Sequence, residues 1–398
     1  MAMLRQDIIR EATRLTRAGQ LVEATALLQQ MLRGERAPDT TFRTDPIALP
    51  GGTPSIIDVE ANWVKETESP RSARTTSAQP RKFRAPPNRT DNDVGFRLRG
   101  LTRRAPPSTR DIAPEGARFI DGSFSNPAGS RAYRLFIPSR YHGQPLPLIV
   151  MLHGCTQSPE DFAAGTRMNF VAEAHPCFVV YPAQRSEANQ AKCWNWFRAT
   201  DQQRGKGEPS LIAGITRQIM REYSVDPKRV YVAGLSAGAA AAAVMGETYD
   251  DLYAAVGVHS GLACGAATDL PSALLVMRQG GGADHRAVSS DRPTVPTIVF
   301  HGDRDSTVHP DNGDQVIEQS LKAKGTQRNV HRGQVAGGHA YTRTVHSDAS
   351  GRQVLEHWSI HGAGHAWSGG SPAGSYTDPR GPDATKEMLR FFLEHSLP

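Results

Sequence analysis

The stretch VYVAGLSAGAAAAAVMGE, residues 230–247, decides the fold of this chain. Its first half runs β-branched and aromatic residues into Gly-Leu-Ser-Ala-Gly, and its second half is a run of small apolar residues. This order predicts a buried strand, a tight turn and a helix packed closely on the strand. The turn is either an ordinary glycine-rich connection or a bend that presents Ser236 as a nucleophile. Because a serine in a strained bend needs neighbours without side chains, Gly234 and Gly238 favour the second interpretation.

The strand-like pattern of this stretch recurs along the chain from about Gly116. Alternating polar and apolar residues predict a strand at 130–138, and apolar runs predict strands at 146–154, 177–182, 229–234, 254–261 and 297–303. Helical patterns lie between or after them at 159–174, 208–223, 236–248, 311–324 and 383–395. Strands that alternate with helices predict an α/β domain with a mostly parallel sheet flanked by helices. In such a sheet, functional residues lie just beyond the carboxyl ends of the strands.

Two later segments supply an acid and a base for Ser236. HGDRDSTV (301–308) places Asp303 and Asp305 directly after a predicted strand, and HGAGHAWSGG (361–370) places two histidines in a glycine-rich loop. The order serine, acid, histidine is the one that this architecture uses for nucleophilic catalysis. Residue types and positions alone leave open which aspartate and which histidine take part.

An oxyanion hole requires two backbone amides near the nucleophile. The residue after the serine, Ala237, supplies one. The loop LHGCTQ (152–157) follows an early strand, and the amide of Cys155 is the natural second donor. The sequence contains no metal-ligand spacing and no cofactor motif, so we expect neither a metal nor an organic cofactor.

The N-terminal third of the chain has a different character. Residues 1–34 predict a helical hairpin, and residues 35–113 predict a disordered linker rich in Pro, Arg and Ser. Between Ser69 and Arg110, eleven Lys or Arg stand against two Asp, although the net charge of the whole chain is only +6. A solvated spacer is the favoured interpretation, and binding to an anionic surface or granule is the alternative. No specific nucleic-acid motif accompanies the charge of this segment. The remaining residues, 114–398, are assigned to the catalytic domain.

The expected compartment follows from the start of the chain and from its cysteines. The first twenty residues carry charges throughout and lack the apolar core of a signal peptide, and no transmembrane segment is predicted. Four scattered cysteines do not form a disulfide framework. These features favour a cytoplasmic protein with reduced thiols.

Several motifs together resemble one family of esterases, the poly(3-hydroxybutyrate) depolymerases, whose relatives include feruloyl and acetylxylan esterases. The matching segments are LHGCTQSPEDFAAGTRMNFVAE, VVYPAQ, CWNWF, VYVAGLSAGAAAA, HGDRDSTV and GAGHAWSGG. The resemblance implies an α/β-hydrolase fold over residues 117–395. It also implies Ser236 as nucleophile, Asp305 rather than Asp303 as the acid, and His365 rather than His361 as the base.

The resemblance further implies serine carboxylesterase activity on short-chain or hydroxyalkanoate esters. Plant cell-wall esters are the alternative substrates. The alternative without enzymatic activity is a catalytically decayed, granule-associated binding protein. Trp194 and Trp367 are candidate walls of a substrate groove, although core packing explains Trp194 equally well. Relatives can link the cysteines equivalent to Cys155 and Cys193; without an export signal, we expect this pair to be close but not reliably bonded.

Overall fold

A computed structural model of the chain describes residues 107–281, 295–321 and 326–398. Its strands are β1 Arg118–Asn126, β2 Gly129–Ile137, β3 Leu146–Leu152, β4 Phe178–Pro182, β5 Val225–Leu235, β6 Ala255–His259, β7 Thr297–Gly302, β8 Gln327–Gln334, β9 Ala340–Ser347, β10 Gln353–Ile360, β11 Trp367–Ser368 and β12 Thr377–Asp378. Its helices are α1 Thr109–Ile112, α2 Pro159–Thr166, α3 Met168–Ala174, α4 Gly207–Glu222, α5 Ala237–Thr248, α6 Leu270–Gln279, α7 Asp311–Ser320 and α8 Ala384–Leu393, with a 3₁₀ turn at Ala199–Gln202.

The main sheet of the described residues has the strand order β1-β2-β4-β3-β5-β6-β7-β10-β9-β8. Its centre, from β4 to β10, is parallel, and antiparallel strands flank it on both sides. The strands β5, β6 and β7 are consecutive neighbours, so the loops after their carboxyl ends meet at one edge. That edge carries Ser236 after β5 and Asp305 after β7.

Helices cover both faces of the sheet, and each face has its own apolar core. Along β3, Leu148 and Val150 belong to the core shared with α4, α5 and α7, whereas Ile149 and Met151 belong to the core shared with α2, α3 and α8. All seven residues of β3 are buried. A strand that is buried on both faces reads as a continuous apolar run, which explains why the sequence pattern located the central strands.

The predicted fold class is confirmed, with differences in detail. The helix expected over 159–174 is two helices, separated at Arg167, whose φ of 56° breaks the helical path. The antiparallel extension β8–β9–β10, strand β1 and helix α6 were not predicted. Strand β8 is exposed along almost its whole length and contains few apolar residues, so it lacks the pattern of a buried strand.

The predicted hairpin (1–34) and most of the predicted linker (35–113) lie outside the described residues. The end of that linker prediction is wrong, because residues 109–112 form helix α1. The side chain of Ile112 is buried, and the side-chain amide of Asn169 donates to the Ile112 carbonyl at 2.8 Å. A single buried isoleucine within a polar, basic stretch is too weak a signal to mark this boundary.

Among the helices of the described residues, none is both long enough and apolar enough to cross a bilayer.

Candidate active site

Ser236 occupies a strained bend between β5 and α5. Its backbone has φ 57° and ψ −121°, a region that costs a non-glycine residue about 1–3 kcal/mol. The flanking glycines make the bend possible. A Cβ at Gly234 would lie 2.4 Å from the backbone of Gly238, and a Cβ at Gly238 would lie 2.0 Å from the carbonyl oxygen of Leu152. The bend therefore presses the start of α5 directly against the end of β3.

The environment of Ser236 leaves its hydroxyl available. The residue is 8% exposed, and its amide donates to the carbonyl of His259 at the end of β6, at 2.9 Å. Within the described residues, the Ser236 hydroxyl has no hydrogen-bond partner. The bend thus fixes the backbone of the serine and leaves Oγ unengaged.

Asp305 and His365 form a short, shielded pair. His365 Nδ1 lies 2.7 Å from Asp305 Oδ2, and the two side chains are 12% and 0% exposed. The other carboxylate oxygen of Asp305 accepts the amides of Thr307 and Val308, both at 2.9 Å. With an ionised carboxylate on one side, the imidazole carries its proton on Nδ1 and presents Nε2 as the basic nitrogen.

The contacts of Asp305 lower its pKa by more than burial raises it. Burial alone raises the pKa of a carboxyl group. Hydrogen bonds from His301 and His365 and from the Val308 amide overcome this effect and hold the pKa of Asp305 well below its ordinary value. The Nε2 atom of His301 lies 3.5 Å from Asp305 Oδ2 and 2.9 Å from the Val308 carbonyl. Sequence reasoning assigned no role to His301, since its support of Asp305 becomes apparent only in three dimensions.

His259 connects the serine bend to the loop that carries His365. Its carbonyl accepts the Ser236 amide, and its Nε2 accepts the amide of Ser368, three residues after His365, at 3.0 Å. Burial lowers the pKa of His259 to about 3, with smaller contributions from the neighbouring His301 and His365. A neutral imidazole is therefore available as the acceptor that ties the two segments together.

The loop before His365 is also packed on the end of β7. The Arg304 amide donates to the Ala363 carbonyl at 3.0 Å, and a Cβ on Gly302 would lie 2.4 Å from that carbonyl oxygen. Among the residues that the structure describes, His365 Nε2 has no hydrogen-bond partner. Catalytic hydrogen bonds are commonly long in a substrate-free enzyme and tighten when substrate binds.

The alternative pair, Asp303 and His361, lies close by and has a different environment. His361 Nδ1 is 3.0 Å from Asp303 Oδ2, and its Nε2 is 2.9 Å from the hydroxyl of Thr342. Asp303 also accepts the Gly362 amide at 2.7 Å. Both ring nitrogens of His361 are engaged, and both side chains of the pair are exposed. This pair anchors the loop, as expected for a turn aspartate and a structural histidine.

The predicted oxyanion loop, residues 152–157, lies beside Ser236. A Cβ on Gly154 would be 3.7 Å from the Cβ of Ser236. Ala237 is the first residue of α5, so its amide has no intrahelical acceptor. In the described part of the chain, the amide of Cys155 also meets no acceptor. Two unengaged amides beside an unengaged hydroxyl make an arrangement that can receive a developing oxyanion.

A disulfide joins Cys155 to Cys193, the pair that the sequence predicts to be close but not reliably bonded. Cys193 belongs to the loop before Trp194, whose indole nitrogen donates to the His153 carbonyl at 3.1 Å. The amide of Thr156 donates to Ala191 in the same loop at 2.7 Å. Closing a loop of this length stabilises a fold by about 4 kcal/mol on the chain-entropy account. The oxyanion loop is therefore fixed to its neighbour by a covalent bond and two hydrogen bonds.

His153 adds a second constraint on the oxyanion loop. Its Nδ1 donates to the Gly154 carbonyl at 2.8 Å, and its Nε2 accepts the Gln184 amide at 3.1 Å. Burial lowers the pKa of His153 to about 4, so the ring is neutral and can play both roles near neutral pH. The buried ring of His153 thus holds the turn at residues 153–154 in place.

The two tryptophans proposed as substrate walls lie in the interior. Trp194 is 0% exposed and Trp367 is 1% exposed. Trp367 stacks on His259, with ring centroids 5.0 Å apart, and donates to the Thr385 hydroxyl at 2.9 Å. Neither side chain has surface to offer a substrate in this structure, and core packing accounts for both. The expectation of a groove lined by these indoles is therefore not supported.

Comparisons with known proteins point to one family. The model of the family described as Esterase PHB depolymerase matches residues 131–338. The chain is 34% identical over 252 residues to poly(3-hydroxyalkanoate) depolymerase C of Paucimonas lemoignei, covering 61% of this chain and 59% of that protein. It is also 28% identical over 246 residues to feruloyl esterase B of Neurospora crassa, covering 57% of this chain and 80% of that protein.

Two acetylxylan esterases extend the comparison. The chain is 28% identical over 211 residues to acetylxylan esterase A of Aspergillus oryzae, covering 49% of this chain and 66% of that protein. The solved acetyl xylan esterase of Aspergillus awamori superposes with a TM-score of 0.55 at 19% identity, covering 70% of this chain and 99% of the other. This structural likeness concerns the fold. The chain thus spans less than two thirds of the length of both the depolymerase and the A. oryzae esterase.

Proposed function

The chain belongs to the Esterase PHB depolymerase family, and on that premise we propose that it is a serine carboxylesterase with Ser236, Asp305 and His365 as its catalytic residues. The observation that carries this proposal is the 2.7 Å contact between Asp305 and His365 at the sheet edge where the strained Ser236 ends β5. Near neutral pH, an ionised aspartate fixes the tautomer that a general base requires.

The proposed reaction proceeds through an acyl-enzyme. Ser236 Oγ attacks the ester carbonyl carbon while His365 Nε2 accepts the hydroxyl proton, and the amides of Cys155 and Ala237 stabilise the oxyanion. His365 then donates this proton to the departing alcohol. In the second half, His365 takes a proton from water, the resulting hydroxide attacks the acyl carbon, and Ser236 regains its proton as the acid leaves.

The proposed substrate class is short-chain esters and oligomers of hydroxyalkanoates. Similarity to a poly(3-hydroxyalkanoate) depolymerase supports this choice. Similarity to acetylxylan and feruloyl esterases supports the second candidate, esters of plant cell walls. Turnover of hydroxybutyrate oligomers, acetylated xylan and methyl ferulate by the same preparation distinguishes the two. The larger specificity constant identifies the substrate class, and no turnover of any ester would support a decayed binding protein.

The partner and compartment proposals depend on different parts of the chain. Binding of the basic segment to an anionic surface or granule concerns residues outside the described ranges, and co-sedimentation of the full chain with granules would test it. The Cys155–Cys193 disulfide favours an oxidising compartment over the cytoplasmic location expected from the sequence, because cytoplasmic disulfides are generally reduced. Protein alkylated in its natural host should show two free thiols if the bond is present and four if it is absent.

Replacement of the nucleophile tests the proposed function. Ser236→Ala should lower kcat for p-nitrophenyl butyrate by at least about 10⁴-fold, because the attacking oxygen is lost. Ser123→Ala, at an exposed position of β1, serves as the matched control and should keep full activity. Retention of substantial hydrolysis by a folded Ser236→Ala variant would exclude Ser236 as the nucleophile.

A further inference from the structure

Two residues with unusual backbone conformations meet beside the proposed oxyanion loop. Thr156 follows the oxyanion residue Cys155 and has φ 65°, and Tyr376 has φ 52°. Positive φ is uncommon for any residue with a side chain and is an outlier for a β-branched residue such as threonine. Strained residues of this kind persist only where surrounding contacts hold them, and they concentrate at functional sites.

The two side chains form a directed chain of hydrogen bonds. The Thr156 hydroxyl donates to the carbonyl of Cys155 at 2.6 Å, and the hydroxyls of Thr156 and Tyr376 lie 3.2 Å apart. Because a hydroxyl carries one proton and that of Thr156 is directed to Cys155, Tyr376 is the donor to Thr156. The chain therefore runs from Tyr376 through Thr156 to the residue whose amide is the proposed oxyanion donor.

Tyr376 is itself fixed to the segment that carries the general base. Its carbonyl accepts the amide of Trp367, two residues after His365, at 2.7 Å, and the following residues pair in the small sheet β11–β12. The hydroxyl chain thus links the oxyanion loop to the His365 segment across 220 positions of sequence.

A second contact supports the same link. The side-chain amide of Gln157 donates to the carbonyl and the hydroxyl of Ser375, both at 3.2 Å, while its oxygen accepts the Gly154 amide at 2.9 Å. The disulfide and the Trp194 indole connect the same loop to a different segment, residues 193–194. The 375–376 segment is therefore the support on the side of the general base.

We propose that Tyr376 and Thr156 are positioning residues that keep the Cys155 amide in register with His365. The inference rests on the proposed function and deepens it. Their hydroxyls act through Cys155 and need no contact with substrate. Because an oxyanion donor must point to where charge develops in the transition state, its misplacement should slow the chemical step and leave ground-state binding largely intact.

Removal of each hydroxyl tests this proposal. Tyr376→Phe and Thr156→Val should each lower kcat for p-nitrophenyl butyrate by about tenfold, since small misplacements in an active site carry effects of this order or larger. KM should stay within about twofold, and affinity for a trifluoromethyl ketone analogue should fall in parallel with kcat. The double variant should lose little more than either single variant, because both interrupt one chain. Thr156→Ser retains the hydroxyl and should restore kcat.

Tyr141→Phe is the matched control. The Tyr141 hydroxyl accepts the amide of Ser224, which precedes β5 and so lies at the opposite edge of the sheet. This variant also loses one hydrogen-bonded tyrosine hydroxyl, and it should change thermal stability without changing kcat. A merely structural role of Tyr376 would give the same result as the control.

Three outcomes would contradict the proposal. One is a kcat within twofold of wild type in folded Tyr376→Phe and Thr156→Val, and another is a loss confined to KM. The third is a loss of kcat that also occurs in Thr156→Ser, which retains the hydroxyl. Absence of ester hydrolysis by the wild-type chain would contradict the proposed function and, with it, this inference.

Discussion

Two histidine–aspartate pairs connect the same two loops of this protein, and only one of them fits a catalytic role. Asp303 and Asp305 are two residues apart after β7, and His361 and His365 are four residues apart after β10. In the outer pair, the histidine and aspartate side chains are 44% and 38% exposed. In the inner pair they are 12% and 0% exposed, and the contact is shorter, at 2.7 Å instead of 3.0 Å.

The difference between the pairs lies in their surroundings, since the residue types are identical. The Thr342 hydroxyl forms a hydrogen bond with Nε2 of His361, whereas no described residue forms one with Nε2 of His365. A hydrogen bond in a shielded site is also stronger than one in contact with water, because the local dielectric constant is lower. A buried pair with one nitrogen left unengaged is suited to proton transfer, and an exposed pair with both nitrogens engaged is suited to holding a loop.

The largest expected effect separates the two pairs by activity. His365→Asn and Asp305→Asn should each lower kcat/KM for p-nitrophenyl butyrate by about 10³–10⁴-fold or more, because one removes the base and the other removes the charge that fixes its tautomer. Steady-state kinetics on folded protein, verified by circular dichroism, measures the loss.

The outer pair supplies the matched controls for this comparison. His361→Asn and Asp303→Asn should stay within about tenfold of wild type, because they loosen the loop without removing a proton acceptor. Equal losses in the outer and inner variants would show that burial does not distinguish the two pairs.

A smaller effect extends the contrast between buried and exposed histidines to stability. Burial lowers the pKa of His153 and His357 to about 4 and that of His259 to about 3, while an unfolded histidine titrates near 6.5. Folded pKa values below the unfolded value give stability that is present above about pH 6.5 and is lost as pH falls. At pH 5, these three histidines should together bind about two to three protons when the protein unfolds. The free energy of unfolding should therefore change by about 3–4 kcal/mol per pH unit.

Urea unfolding between pH 7 and pH 5 measures that slope, in a range where most carboxyl groups titrate little. His357→Phe removes one of the three imidazoles whose pKa is lowered, and it should reduce proton uptake on unfolding by about one proton. A free energy of unfolding that stays constant from pH 7 to pH 5 would contradict the neutral, buried state of these histidines.

Periodicity and order along the chain predicted much of the fold. Central strands such as β3 and β5 are buried on both faces and therefore read as apolar runs, and the glycines around Ser236 mark a bend that other residues cannot form. Asp303 and Asp305 both follow β7, so residue types could not separate them. The resemblance to a family favours Asp305, and in the structure Asp305 is the aspartate that is buried beside His301.

Other features could not be inferred from local pattern. The sequence suggests the indoles of Trp194 and Trp367 as groove walls, but an aromatic side chain gives no sign in sequence of whether it faces a groove or the core. The edge strand β8 lacks an apolar face, and its assignment depends on pairing with β9. The link between Thr156 and Tyr376 joins segments 220 residues apart and depends on tertiary structure alone.

The most direct test of the central claim is a crystal structure of the chain after reaction with a fluorophosphonate ester. The account predicts a covalent bond from Ser236 Oγ to phosphorus, a phosphoryl oxygen about 3 Å from the amides of Cys155 and Ala237, and His365 Nε2 within hydrogen-bonding distance of Ser236 Oγ. Phosphorus attached to another residue, or a phosphoryl oxygen directed away from both amides, would contradict it.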